Sequence, residues 1–151
     1  MGSIVKRYTE RLPDWSDRLD SALERFRGKP FAYGRCDCGS LMAAVVYAVT
    51  GHDISPQISD RYASKETLAR FMIEMESRSP GEFFEKHVMP DIGWRRIARL
   101  SASRGDLCTA QGADAWPAFG VILNEDKAAF MGLAGLQEFN RQGRVLVTWG
   151  L

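Results

Sequence analysis

Two cysteines flank an aspartate at Cys36, Asp37 and Cys38, and these are the side chains of the chain best suited to covalent chemistry. The apolar run 41–49 follows at once and predicts a short helix without a polar face, which is typical of a buried central helix. Cys38 is then expected at the first turn, where free backbone N–H groups and the helix dipole favour a negative atom. A thiolate stabilised in this way is a nucleophile, so Cys38 is a candidate catalytic residue.

A cysteine nucleophile needs a base within hydrogen-bonding reach, and the chain has only two histidines. His52 follows the far end of the predicted helix, about 20 Å from Cys38 at ~1.5 Å per residue, so a continuous helix excludes it. His87 lies in a later short helix without a recognisable partner and is the remaining candidate. Asp37 and Asp106 are candidate catalytic carboxylates, with helix capping and turn hydrogen bonds as their alternative roles.

The three cysteines Cys36, Cys38 and Cys108 also suggest metal binding as an alternative. Structural zinc sites and iron–sulfur clusters commonly use four protein ligands, so a fourth would have to come from Asp37, Asp106 or a neighbouring chain. Cys36 and Cys38 are too close in sequence to form an unstrained disulfide readily, and three cysteines do not make a disulfide framework. The main prediction is a protein with reduced thiols and no metal or other cofactor.

The length and composition of the chain limit its domain number and the kinds of partner it can bind. The chain has 151 residues, which fits a single domain covering 1–151. Its 20 basic and 19 acidic residues give a net charge of +1, which predicts no nucleic-acid partner. No stretch approaches the ~20 apolar residues of a membrane span. The first residues lack the apolar region of a secretion signal, so we expect synthesis in the cytoplasm without a signal peptide.

Helical signals dominate the first part of the chain. Apolar residues recur at helical spacing over 14–27, and Ser64 has the type and position of a helix N-cap. Ser79 begins a capping-box pattern with proline at the first helical position. This pattern predicts a short helix through Val88, which Pro90 is expected to end.

Strand signals dominate the rest. Five short segments of β-type composition are separated by turn residues, at 94–98, 106–109, 119–123, 128–131 and 145–149, and 124–127 is a predicted hairpin connection. The glycine-rich segment 131–136 is interpreted as turns between strands. Helices followed by strands predict an α+β fold, with N-terminal helices packed on a small antiparallel β-sheet or half-barrel.

Four short motifs, in this order, resemble those of the NlpC-type cell-wall peptidases, which are papain-like cysteine hydrolases. Segment 31–34 resembles the aromatic-x-x-Gly of that family, and 37–41 is similar to its Asp-Cys-Ser-Gly-Leu segment around the nucleophile. Segment 104–107 resembles the Gly-Asp-Leu that opens its first core strand. Segment 117–123 aligns with the strand that normally carries the catalytic histidine.

Further features resemble a phage-encoded subset of that superfamily, whose members are encoded among tail genes. They are a tryptophan-containing N-terminal helix, a Thr-Gly-x-Asp turn at 50–53 and a closing strand that contains Trp149. The resemblance implies a papain-like, NlpC-type fold with Cys38 in the place of the nucleophile. It also implies that Phe31 and Tyr33 belong to the substrate-binding region.

One departure changes the expected function. The position of the catalytic histidine holds Ala118 or, with a one-residue shift, Phe119, and neither side chain accepts a proton. The resemblance therefore implies a pseudoenzyme that serves as a tail-tip or baseplate-proximal structural or assembly protein. Such a protein is made in the host cytoplasm, resides in the virion tail and has the hub and distal tail proteins as partners. The alternative is an active endopeptidase or amidase acting on host peptidoglycan, with His87 or a partner subunit as the base.

Overall fold

Helices cover one face of a β-sheet in the computed structural model, which describes residues 10–112 and 116–151. The helical elements are α1 (Trp15–Glu24), α2 (Cys38–Thr50), α3 (Lys65–Glu74), α4 (Pro80–Phe83), a π-helical turn (Phe84–Val88) and α5 (Met89–Ile92), with 3-10 turns at Ser55–Gln57 and Arg99–Ser101. The strands are β1 (Arg95–Ile97), β2 (Leu107–Ala110), β3 (Ala118–Ile122), β4 (Lys127–Gly132), β5 (Gly135–Asn140) and β6 (Val145–Gly150).

Helix α2 is the buried central helix that its apolar sequence predicts. It packs between α1 on one side and strands β3 and β4 on the other. It has 13 residues and ends at Gly51, whose left-handed backbone (φ 81°) suits a residue without a side chain. Within the described residues, no helix combines the length and the apolar character needed to cross a bilayer.

The predicted helix starts at Ser64 and Ser79 are confirmed. Ser64 and Thr67 form a reciprocal capping box, in which the Ser64 hydroxyl accepts from the Thr67 N–H at 3.1 Å. The Ser79 hydroxyl accepts from the Glu82 N–H at 3.2 Å. Each cap satisfies a backbone donor that the first turn of a helix leaves without a partner.

The prediction that Pro90 ends the helix begun at Pro80 is wrong. Proline lacks an N–H and its ring clashes with the preceding helical turn. The chain widens into the π-helical turn over Phe84–Val88, and Pro90 then lies in the first turn of α5, where its missing N–H has no partner to lose. The segment ends instead at Gly93, which has a left-handed backbone (φ 74°).

The six described strands form one sheet in the order β1-β6-β2-β3-β4-β5, and every neighbouring pair is antiparallel. This confirms the predicted α+β class, with helices packed on an antiparallel sheet. The predicted hairpin connection at 124–127 does join β3 to β4, although the loop covers 123–126 and Lys127 is already the first residue of β4.

The interpretation of 131–136 as turns alone missed β5. Only Leu133 and Ala134 form the turn, because Gly132 already pairs with Gly135 across the hairpin. Strand β5 is an edge strand whose side chains are largely exposed, so it lacks the alternating apolar pattern that marks a half-buried strand.

The two faces of the sheet bury different clusters. Phe119, Val121, Ala129 and Trp149 face the helices and belong to the main core. A smaller cluster lies on the other face and contains Ala102, Cys108, Ala110, Ile122, Ala128, Phe130 and Val145. Successive side chains of a strand point to opposite faces, so this division fixes which residues of β3 can face α2.

Candidate functional site

Cys38 is the first residue of α2, and β3 packs against this helix. The residue as a whole is partly exposed, but protein atoms enclose its sulfur. The backbone of Phe119 lies within hydrogen-bonding reach of the thiol. The structure therefore brings together the nucleophile position and the strand that the sequence analysis paired with it.

The expected activation of the Cys38 thiol is wrong. Burial raises its pKa to about 12, and the neighbouring Asp37 carboxylate raises it further because it repels a thiolate. Backbone hydrogen bonds at the start of the helix and from Phe119 act in the opposite direction but are outweighed. At neutral pH the thiol is protonated, and the thiolate is the reactive form.

Asp37 is the N-cap of α2, the alternative role that the sequence allowed for it. Its Oδ1 accepts from the backbone N–H and the hydroxyl of Ser40, both at 2.9 Å. Its Oδ2 accepts from the Gly34 N–H at 2.9 Å and from the Tyr62 hydroxyl at 2.7 Å. Asp37 is only 2% exposed, and these four donors occupy both of its oxygens. Asp37 therefore has a structural role, because its oxygens are not free to accept a proton from Cys38.

Tyr62 is a residue of this site that the sequence analysis missed. Its ring stacks on Phe71 at 6.0 Å between centroids, and its pKa is raised by burial and then by Asp37. A Cβ added at Gly39 would lie 2.8 Å from the Tyr62 hydroxyl, and one at Gly34 would lie 2.1 Å from the Tyr62 carbonyl oxygen. Both glycines are thus needed for the close approach of Tyr62. No local pattern signals this contact, which joins residues 25 positions apart.

Ala118 and Phe119, the two positions that the sequence analysis compared, lie on opposite faces of β3. Ala118 lines a small cleft on the outer face of the sheet, whereas Phe119 points toward the helices and is 1% exposed. The Phe119 ring lies 5.9 Å from Phe84 and 5.9 Å from Trp149, between ring centroids. Phe119 is therefore a core residue, and neither Ala118 nor Phe119 has a side chain that can accept a proton.

Neither histidine is placed beside Cys38. Helix α2 is continuous from Cys38 to Thr50, so His52 stands about 20 Å away at ~1.5 Å per residue. His87 lies in the π-helical turn, with Nε2 2.8 Å from the Met75 carbonyl oxygen and its ring 5.4 Å from that of Phe83. Both contacts tie His87 to neighbouring helical residues and give it a structural role.

Phe31 and Tyr33, the predicted binding residues, form an edge-to-face pair with ring centroids 4.9 Å apart. The Phe31 N–H donates to the Leu133 carbonyl at 2.9 Å, which ties the loop before α2 to the β4–β5 hairpin. Tyr33 and Cys38 both lie near enough to Tyr62 to raise its pKa. The aromatic pair thus lies on the loop that carries the Asp37 and Cys38 positions.

The three cysteines are not brought together, so the structure contradicts a metal site made by all three in one chain. Cys38 packs beside the main core, whereas Cys108 is fully buried in the cluster on the opposite face of the sheet. Burial raises the pKa of the Cys108 thiol to about 12. Over the described ranges, no group of three or more His, Cys, Asp or Glu side chains is arranged to hold a metal ion.

Asp106, the second candidate carboxylate, also has a structural role. Its Oδ2 accepts from the Ser103 N–H at 2.8 Å, which is the turn hydrogen bond that the sequence suggested. Its Oδ1 lies 3.0 Å from Arg11 Nη2 in an ion pair. Burial is the main influence on its pKa and raises it.

The described part of the site therefore contains the protonated, enclosed thiol of Cys38 and the carboxylate of Asp37, whose two oxygens already accept four hydrogen bonds. The neighbouring strand residue Phe119 has a buried aromatic side chain. The described part of the site holds no group placed to take a proton from Cys38. These residues lie where the first turn of the buried central helix meets strand β3 of an α+β protein.

The chain belongs to the family described as domain of unknown function DUF6950, whose model matches residues 10–150. Comparison with curated proteins returns no match.

Proposed function

We propose that this protein has a papain-like, NlpC-type architecture and acts without peptidase chemistry as a structural or assembly protein of a bacteriophage tail. One observation carries the non-catalytic part of the proposal. The Cys38 thiol lies against the backbone of Phe119 with its pKa raised to about 12, and the Phe119 side chain is a buried ring that cannot accept a proton. Amide hydrolysis by a cysteine needs a base for the thiol and an acid for the leaving group.

Two features support descent from a hydrolase scaffold. Cys38 begins a central buried helix, and the neighbouring strand is the one that the motif order pairs with it. Asp37 fixes the start of this helix through hydrogen bonds from Tyr62 and Gly34, so the loop before α2 has a structural role. The tail context rests on the resemblance of segments 31–34, 37–41, 104–107 and 117–123. The hub and distal tail proteins are the proposed partners.

The enzymatic part is tested with the purified full chain and peptidoglycan sacculi. We expect release of soluble fragments equal to that of buffer, for the wild type and for Cys38→Ala alike. Release by the wild type that the variant lacks would overturn the proposal and restore the peptidase alternative.

The assembly part is tested in a phage or prophage that encodes this chain. Deletion of the gene should leave particles with missing or defective tails by electron microscopy. Complementation with Cys38→Ala should restore infectious particles as well as the wild type does, because thiol chemistry is not used. Normal particles after deletion would contradict the tail role, and failure of a folded Cys38→Ala protein to complement would contradict the absence of chemistry.

A further inference from the structure

A second part of the molecule has the form of a binding site. A cleft of about 500 Å³ lies between the end of α1, the loop before α2 and the turns after α2. This volume is in the range of ligand sites. Cys36 lines the cleft and Cys38 does not, so it is separate from the nucleophile position.

The floor of the cleft is apolar. Ala44 and Tyr47 of α2 line it, and Tyr47 is 46% exposed although most of this helix is buried. Phe26 and Ile58 add apolar surface at the sides. The Arg18 guanidinium lies over the Tyr47 ring, 5.0 Å from its centroid, and the part of the ring that remains exposed offers a contact area for apolar side chains of a ligand.

The rim of the cleft is cationic. Arg25 and Lys29 line it, and neither has a carboxylate partner within the described residues. Arg35 is paired with Asp60 at 3.2 Å, so it adds little net charge. The carboxylate of Asp53 also lines the cleft. It accepts from the N–H and hydroxyl of Ser55 at 2.9 and 2.6 Å, which lower its pKa, so it keeps its negative charge and offsets part of the positive charge of the rim. Because the whole chain carries a net charge of only +1, the two unpaired cations are a local feature.

The cleft continues into a neighbouring one. A second cleft of about 370 Å³ shares Arg25 and Tyr47 with the first and runs along α1. Asp14 and Asp17 offset the positive charges of Arg18 and Arg25 there, so this second cleft is close to neutral. The two clefts together make an elongated open groove, which suits an extended polymer better than a compact small molecule.

We infer that this groove binds an acidic peptide segment of a partner protein. Carboxylates of the segment pair with Arg25 and Lys29, and its apolar side chains rest on Ala44 and Tyr47. The site is assigned from charge and shape alone and does not depend on the proposed function. Exposed ion pairs of this kind contribute modestly, so specificity comes from combining them with the apolar floor.

The binding test uses a fluorescein-labelled peptide of sequence Asp-Glu-Leu-Asp-Glu-Leu, followed by fluorescence anisotropy. We expect saturable binding that is at least about fivefold weaker when both cations are removed by Arg25→Gln and Lys29→Gln. The matching Asn-Gln-Leu-Asn-Gln-Leu peptide should bind at least about fivefold more weakly than the acidic one. Raising the salt from 50 to 500 mM should weaken the acidic peptide further, because it screens exposed charges.

Arg27→Gln is the matched control. Arg27 follows α1 in the same segment but is paired with Glu24 at 3.3 Å and Glu138 at 3.6 Å, and it does not line the cleft. Its removal should leave the affinity within about twofold. An equal loss in this control, equal binding of the amide peptide or full displacement by free glutamate at the peptide's own concentration would overturn the inference.

Cys36 supplies an independent readout of the same cleft. It is half-buried there, and Lys29 is close enough to lower its pKa against the larger effect of burial. The rate of reaction of Cys36 with a dianionic aromatic disulfide is divided by its rate with a neutral one. We expect this ratio to be higher in the wild type than in Lys29→Gln, because Lys29 attracts the dianion. Bound acidic peptide should slow the reaction of Cys36 with both disulfides, because it covers the cleft. Unchanged rates in both comparisons would contradict the proposed site, and Cys36→Ser gives the background from the other thiols.

Discussion

The carboxylate of Asp37 is buried beside Cys38, and four hydrogen-bond donors stabilise it. A buried charge is costly unless such partners are complete. The Tyr62 hydroxyl is the donor that comes from farthest along the chain. It fits only because Gly39 has no side chain.

Tyr62→Phe should lower the free energy of unfolding by about 1–3 kcal/mol, because it leaves one lone pair of a buried carboxylate without its donor. Gly39→Ala should also destabilise the wild type, since its Cβ would lie 2.8 Å from the Tyr62 hydroxyl. In the Tyr62→Phe background the same alanine should be neutral or stabilising, because alanine favours helix over glycine by up to about 1 kcal/mol. Denaturant unfolding of the four proteins measures this coupling.

Tyr47→Phe is the control for this cycle. Its side chain is 46% exposed, so the change should stay within about 0.5 kcal/mol. Additive effects of Gly39→Ala and Tyr62→Phe would show that the close approach is not what requires glycine.

The Cys38 thiol should alkylate slowly. With a pKa of about 12, it should react with iodoacetamide at pH 8 at least about a hundredfold more slowly than an unperturbed cysteine of pKa ≈ 8.5. Mass spectrometry with fragment-ion mapping separates Cys38 from Cys36. Denatured protein should lose the protection, and rapid native-state labelling of Cys38 would contradict the raised pKa.

At the residue scale, the sequence indicated the roles of Asp37 and Asp106 but not those of Tyr62 or Phe119. Capping and turn bonding are local, so residue type and spacing reveal them. The approach of Tyr62 to Asp37 spans 25 positions and depends on tertiary packing. The choice between Ala118 and Phe119 required the register of β3 against the helices, which a one-residue shift reverses.

The N-caps of α2 and α3 differ in how deeply they are buried. Asp37 lies in the core, whereas the cap of α3 is formed by Ser64 and Thr67 nearer the surface. A cap that also takes part in a buried hydrogen-bond network should contribute more to the free energy of unfolding than a cap that bonds only within its own helical turn.

Asp37→Ala should therefore destabilise by about 3 kcal/mol or more, because it removes a cap and leaves Tyr62 and Gly34 without their acceptor. Ser64→Ala should cost about 1 kcal/mol, the ordinary value of an N-cap. Thermal or denaturant unfolding compares the two. If Asp37→Ala still folds, the Cys38 pKa should fall, because a repelling charge is lost. Equal costs for the two caps would contradict the network role.

At the element scale, prediction succeeded where a local signal was strong and failed where context decided. The apolar run of α2 and the serines at the starts of α3 and α4 identified these helices. Strand β5 was missed because an exposed edge strand buries too little to show an apolar alternation. Pro90 was assigned to a helix end because the π-helical turn that accommodates it has no sequence signature of its own.

The α+β class followed from the order of helical and strand segments. Helices that come first and strands that come later can bury their apolar faces only against each other. The order of strands in the sheet could not be predicted in this way, since β6 inserts between β1 and β2 and that choice depends on tertiary pairing.

For the molecule as a whole, stability should decline at alkaline pH. The Cys108 thiol is fully buried, with a pKa raised to about 12 from about 9. Well below pH 8 it is protonated in both folded and unfolded states. Between pH 9 and 12 the unfolded chain loses the proton first, so each such thiol lowers the free energy of unfolding by up to about 1.4 kcal/mol per pH unit.

Cys108→Ser should show a flatter decline between pH 9 and 11 than the wild type, because the serine hydroxyl does not titrate there. Below pH 8 the two stability profiles should run parallel. Urea unfolding across this pH range measures the slopes, and identical slopes above pH 9 would contradict the buried thiol as the cause.

Strand β1 pairs with β6 alone in the described sheet, where Ile97 lies opposite Thr148. On the ribosome, β1 emerges long before β6 has been synthesised. Until residues 145–150 appear, its backbone has no partner strand, and the core position of Trp149 stays empty. Contacts this distant in sequence slow folding. Throughout this interval the newly made chain therefore exposes the unpaired β1 and the core surface that Trp149 later covers, and both favour self-association.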